Sequence, residues 1–174
     1  QDFYPYTKAY LETANYLKWY MKKEVDSGNS NCKNHLFFPM CYLYRNCVEL
    51  SLKTIWFEET DEDFQSKCKL MLDKKHSIEG MWKKLKPYVL EYSKSTDELE
   101  DIEVIEDYCI QVHKLDSDAN KFRYPMAKTM QVYFPKNKRF DFMHVGDFFE
   151  ALNNILDGID SAFSYRNEIK AEME

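Results

Sequence analysis

At 174 residues the chain suits a single domain with a substantial core, and its formal charge of −6 excludes a surface coated in basic residues for nucleic acid, though not a local basic patch. Four Gly, five Pro, 16% aromatic and 31% charged residues exclude a disordered chain and describe a helix-rich globule. The five cysteines (Cys32, Cys41, Cys47, Cys68, Cys109) are scattered, odd in number and form no C-x-x-C, which suits reduced thiols in a cytoplasm better than a disulfide framework or a zinc site.

No run approaches about 18 apolar residues and no charged-then-apolar leader opens the chain, so neither a membrane span nor a signal peptide is expected. Tyr6 to Val25 reads as a first helix, with Tyr6, Tyr10, Ala14, Leu17 and Met21 spaced three or four apart. Ser27-Gly28-Asn29-Ser30-Asn31 stops it with turn residues. Pro39 is expected in the first turn of a second helix, where a missing N–H costs little. That helix runs to about Phe57 and meets the acidic Glu58 to Asp63.

A short third helix, Asp63 to Leu72, sets Phe64, Cys68 and Met71 on one side. Ser77 reads as the N-cap of a fourth, whose stripe is Ile78, Met81, Trp82, Leu85, Val89 and Tyr92. Pro87 is expected to kink or divide it. A fifth helix from Asp97 to about Leu115 buries Leu99, Ile102, Ile105, Cys109 and Val112. The last, Asp141 to Ala171, carries Val145, Phe148, Leu152, Ile155, Ile159 and Phe163. Between them, residues 116–140 lose helical periodicity and read as a long loop with a short extended piece at Met130 to Phe134. A loop this long inside a compact domain is often functional. The expectation is one domain over residues 1–174, an all-α bundle of five or six helices.

The second helix is the most informative. At 100° per residue, Tyr42, Arg45, Asn46, Glu49 and Lys53 fall within one arc of about 100°, and the remaining surface from Met40 to Phe57 is uncharged. A helix apolar over most of its circumference is buried on most sides, so its polar stripe must be paired internally or offered to a ligand. Arg45, Glu49 and Lys53 stand four apart and can also be read as an ion-paired face.

From Ala119 to Phe140 there are six basic residues (Lys121, Arg123, Lys128, Lys136, Lys138, Arg139) and no acidic one, interleaved with Phe122, Tyr124, Tyr133, Phe134 and Phe140. Cations meet phosphates and aromatic faces stack bases, the logic of single-strand binding. A solvated loop with its aromatics tucked into the core is the other reading. His76, one residue before the Ser77 cap, is a candidate for proton transfer near neutral pH. Asp116-x-Asp118-x-Asn120 opens like a calcium loop, but Lys121 stands where Gly is required. No metal or cofactor is expected.

Three pieces together, Leu43-Tyr44-Arg45-Asn46-x-x-Glu49-Leu50-x-Leu52-Lys53, His76-Ser77-Ile78 leading to Trp82, and Asp118 to Phe122-Arg123-Tyr124-Pro125, resemble small bacterial all-helical proteins of the HEPN superfamily (higher eukaryotes and prokaryotes nucleotide-binding). The resemblance implies a helical bundle, often dimeric, of the kind found in toxin–antitoxin, defence and RNA-processing systems, where many members are metal-independent ribonucleases. Their signature is Arg, four to six residues, then His. Here Arg166-Asn167 is followed by Ala171, Glu172 and Met173, while Arg139 to His144 fits the spacing.

The expected function is therefore a cytoplasmic domain that binds RNA or a nucleotide. Arg45, Asn46, Glu49, Lys53, Arg123 and Tyr124 are its candidate binding residues, and His76, Arg139 and His144 its candidate catalytic ones. Arg45 and Arg123 are expected to share one hollow and engage phosphate. The alternative is a non-catalytic interaction or structural module, pairing with a protein partner or a second copy, its polar stripe an internal ion-pair network.

Overall fold

Apolar residues that return every three or four positions bury one face of a helix, and six stretches of this chain do so. The computed structural model describes residues 3–96, 102–135 and 139–173. The helices are α1 (Tyr4–Asp26), α2 (Cys32–Glu59), α3 (Phe64–Lys74), α4 (Ile78–Thr96), α5 (Ile102–Leu115) and α6 (Phe142–Met173). The described residues contain no β-strand, so the fold is an all-α bundle of six helices. None of these helices is long and apolar enough to cross a membrane.

α2 is the central helix. It packs along α1 on one side and α6 on the other, and also meets α4, which pairs with α5. Met40, Cys41, Tyr44, Cys47, Val48 and Leu52 lose all contact with solvent. Tyr44 stacks on Phe149 of α6, ring centroids 5.4 Å apart and nearly parallel. The Tyr44 hydroxyl lies 2.6 Å from Asn15 Oδ1 and 3.0 Å from Glu150 Oε1, so the one polar atom of a buried ring is satisfied. Beside it Lys18 of α1 reaches Asp147 at 2.5 Å and Glu150 at 2.9 Å. The lysine stem runs under Gly146, where a Cβ would stand 2.6 Å from Lys18 Cδ.

Four expectations need correction. α2 starts at Cys32, so Pro39 is inside the helix rather than in its first turn. The proline leaves the carbonyl of His35 without its helical donor, which an exposed residue tolerates because water can replace it. For the same reason α4 runs undivided through the exposed Pro87. α3 buries no residue, and Phe64 is 68% exposed, with only an edge contact to Phe57. In α6 the buried line passes through Phe149, Leu152, Leu156, Ile159 and Phe163, leaving Val145, Phe148 and Ile155 half-buried. The close passage of Lys18 at Gly146 and the Tyr44–Phe149 stack turn the helix that way.

Other features are as the sequence implies. Ser77 caps α4, its hydroxyl accepting the Gly80 N–H at 3.0 Å, and Asp63 caps α3 by accepting from Gln65 and Ser66. Ile102, Ile105, Cys109 and Val112 are the buried face of α5, while Leu99 lies outside the described residues. All five cysteines are free, and four are buried. Burial pushes the Cys47 and Cys109 thiols up to about 12.

The segment after α5 is built from turns. No strand forms at Met130 to Phe134. Instead Met126 and Val132 make a single antiparallel bridge around a tight reversal in which Ala127 N–H donates to Gln131 O. Phe122 and Phe134 of this segment stack on each other at 5.8 Å, and Phe134 stacks on Phe38 of α2 at 5.2 Å. A small aromatic cluster therefore ties the loop down.

Phe149→Ala should remove the stack that joins α6 to α2 and leave a cavity, costing about 3–5 kcal/mol. Urea unfolding should show the loss as a lower midpoint with an unchanged slope.

Candidate functional site

The centre of the polar stripe of α2, Arg45 and Glu49, is sealed from solvent, while Tyr42, Asn46 and Lys53 are half-buried. Arg45 is 0% exposed, and each arm of its guanidinium has a partner. Nη1 donates to Glu49 Oε2 at 2.5 Å, Nη2 to the His76 carbonyl at 2.5 Å, and Nε to the Asp116 carbonyl at 3.1 Å. The Asp116 carboxylate adds a longer ion pair, Oδ2 to Nε at 3.7 Å. One side chain thus holds α2, the turn before α4 and the end of α5 together. The expected direct grip of Arg45 on phosphate does not match this geometry, because the guanidinium presents no surface.

Glu49 is the counter-charge. Its Oε1 accepts from Lys53 Nζ at 2.6 Å. Burial alone would raise its pKa, but Lys53 and Arg45 outweigh burial and hold it below the ordinary carboxylate value. His76 Nδ1 lies 3.0 Å from Glu49 Oε1 and 3.2 Å from Oε2. An ionised carboxylate only accepts, so Nδ1 carries the proton in this contact and the ring is fixed in one orientation. The His76 side chain is 54% exposed. Just before it Lys75 takes φ +49°, a left-handed conformation uncommon for a residue with a Cβ. The structure therefore brings Arg45, Glu49, Lys53 and His76 together, with Asn46 half-buried beside them.

Arg123 and Tyr124 lie one turn back along the same face. Arg123 is exposed, its guanidinium 5.6 Å from the Tyr42 ring centre and 5.2 Å from that of Tyr124, and Nη2 donates to the Tyr124 hydroxyl at 3.3 Å. The two arginines act differently: Arg45 is sealed inside, whereas Arg123 is held outward between two rings. Arg139 precedes α6 and His144 stands in its first turn. Both are exposed, and among the described residues neither joins the Arg45 group. Asp141 between them caps α6, accepting from the Met143 and His144 amides at 3.0 and 3.3 Å.

Two anchors are invisible in the pattern of α2 alone. Asp116 Oδ1 accepts the Asn120 and Lys121 amides at 2.9 and 3.0 Å, so the calcium-like spacing is a turn bonded to its own backbone. Arg166 and Asn167 close the far end of α2: Arg166 Nη2 donates to the Glu59 carbonyl at 3.1 Å and Asn167 Nδ2 to Glu59 Oε2 at 2.8 Å. The signal for the first was the Asp-x-Asp-x-Asn run itself. For the second there was none, since the partners are over a hundred residues apart. No group of three or more His, Cys, Asp or Glu among the described residues is placed to hold a metal ion.

Two hollows accompany these groups. One, about 520 Å³, is lined by Glu58, Glu59, Asp160 and Glu168 with Tyr4 and Tyr165. Burial, together with Glu59 and Glu58, pushes Asp160 up to about 6. The other, about 530 Å³, lies between the start of α2 and the end of the loop.

Arg45→Ala should leave the His76 and Asp116 carbonyls without this donor and Glu49 without one of its two buried counter-charges, and cost about 3–5 kcal/mol, whereas Arg123→Ala should stay within about 0.5 kcal/mol; thermal melts of the two variants make the comparison. Asp160 titrates higher folded than unfolded, so between about pH 4 and pH 6 the folded chain binds the extra proton and its stability falls as pH rises. Asp160→Asn should flatten that decline in melts across this range and raise the melting temperature above it. Compared with protein-family models, curated proteins and solved structures, the chain finds no match, and the site stands on its geometry alone.

Proposed function

We propose that the chain is a HEPN-like helical domain that binds single-stranded RNA or a nucleotide, in a bacterial defence or toxin–antitoxin setting, on the face formed by residues 116–135 and the first half of α2. The observation that supports this reading is the exposed Arg123 guanidinium held between the Tyr42 and Tyr124 rings. A cation fixed beside two aromatic faces offers a phosphate contact and a stacking surface in one place. Lys128 is exposed on the same segment. In this reading Arg45 and Glu49 set the platform, and His76, oriented by Glu49, borders it.

A second reading has its own support. Arg45 is wholly internal and each of its three nitrogens already has a protein partner, which is what a non-catalytic interaction module with a structural ion-pair network requires. Met126, Met130 and Val132 are exposed on the loop and would serve a protein partner or a second copy. Ribonuclease activity through Arg139 and His144 is the third, and it has less to stand on, because the two residues are bonded to nothing in common among the described residues.

Fluorescence anisotropy with a labelled single-stranded RNA at about 50 mM salt separates them. Binding should weaken by about tenfold in Arg123→Ala and in Tyr124→Ala, in line with roughly 1–3 kcal/mol per stacked base, while both variants melt like the parent. If the parent binds no RNA, the interaction module is the better reading. RNA cleavage in EDTA that disappears in His144→Ala would establish the third.

A further inference from the structure

The first helix, α1, carries two stripes on opposite sides. The inner one, Leu11, Ala14, Lys18, Met21 and Val25, packs inward beside α2 and α6. The outer one is Ala9, Glu12, Tyr16, Trp19, Lys23 and Asp26, every one of them exposed. These residues follow one another in alternating steps of three and four. A mean step of about 3.5 is the repeat at which one helix lays a continuous seam against another.

The middle of that seam is aromatic. Tyr16 is 59% and Trp19 54% exposed, and their rings lie together along the helix, centroids 5.6 Å apart. Lys23 Nζ stands 5.3 Å from the centre of the Trp19 ring, so an ammonium is already placed over the indole. Trp and Tyr concentrate at the buried centres of protein contacts, with charged residues at the rim. Here the rim charges have a direction: Glu12 stands one turn before the aromatic pair and Lys23 one turn after it. Two copies of the helix laid parallel would set Glu12 against Glu12 and Lys23 against Lys23. Turned end for end about the midpoint between Tyr16 and Trp19, each Glu12 meets a Lys23 instead, and the face becomes complementary to itself.

We propose that α1 docks on α1 of a second copy of this chain, antiparallel across a two-fold axis, with Tyr16 against the partner's Trp19 and Glu12 paired with the partner's Lys23. Such a contact is isologous, the same patch serving on both sides. None of its residues belongs to the Arg123, Tyr42 and Tyr124 face, so dimerisation and RNA binding can each fail without the other. One helix against one helix is a small contact, and the association is weak, with a dissociation constant on the order of 10–100 µM.

Sedimentation equilibrium from about 5 µM to about 1 mM tests it, together with iodide quenching of Trp19, the one exposed tryptophan beside the buried Trp56 and Trp82. The parent should pass from monomer to dimer over that range while its quenching falls. Trp19→Ala should remain monomeric to about 1 mM and melt like the parent. Glu12→Lys and Lys23→Glu should each weaken the dimer by about tenfold, since either change turns both charge contacts repulsive. The double variant Glu12→Lys/Lys23→Glu reverses both partners and should recover the parent's affinity to within about threefold. A parent that stays monomeric at about 1 mM overturns the proposal and leaves the face to a different protein. So does a Trp19→Ala variant that dimerises like the parent, or a double variant as weak as the single ones.

Discussion

A guanidinium with no exposed surface decides how this molecule is put together. Arg45 projects from the middle of the most buried helix, and an unpaired charge there would cost several kcal/mol. The chain resolves this by bringing three partners to it: Glu49 from one turn along α2 and, from remote segments, the His76 carbonyl of the α3–α4 turn and the Asp116 carbonyl at the end of α5. Two of those partners are backbone carbonyls, so the arginine fixes where the main chain runs as well as where a side chain points. The left-handed Lys75 next to His76 and the internally bonded Asp116 turn both sit at these attachment points.

From that clamp the exposed chemistry follows. Because Asp116 is held, the loop leaves α5 at a defined place, and Phe122 and Phe134 then seat it on Phe38. Arg123, next to a seated phenylalanine, is carried to the Tyr42 ring on the α2 face. Because Glu49 is held by Arg45 and Lys53, it remains ionised and can fix the His76 ring from below. The surface groups thus take their positions from buried ones, and a substitution at Arg45 reads out in function only through structure.

The parts legible in the sequence were those governed by local rules. Apolar spacing identified the buried Ile78, Met81, Trp82, Leu85 and Val89 of α4 and the buried Ile102, Ile105, Cys109 and Val112 of α5, and Ser77 was recognisable as a cap because N-cap chemistry is decided within a few residues. The grouping of Arg45, Glu49 and Lys53 was visible for the same reason, as was the affinity of the Arg123 segment for aromatic company. What pattern reading missed was settled by contacts remote in sequence. Pro39 looks like a helix start and Pro87 like a break, yet both lie inside helices and face water, where the lost hydrogen bond matters little. The rotation of α6 depends on Lys18 passing beneath Gly146, two residues 128 positions apart. Whether the polar stripe was sealed or open depended on the carbonyls of His76 and Asp116, and backbone acceptors carry no mark in a sequence.

The placement of the thiols has a consequence for anyone who handles this chain. Cys32, Cys41, Cys47 and Cys109 are buried, and burial holds the last three protonated, while Cys68 on the loosely attached α3 is only half-covered. Alkylating reagents will therefore modify Cys68 from the native state and the others only when helices part. The chain carries its own clocks of breathing, one for its periphery and four for its interior.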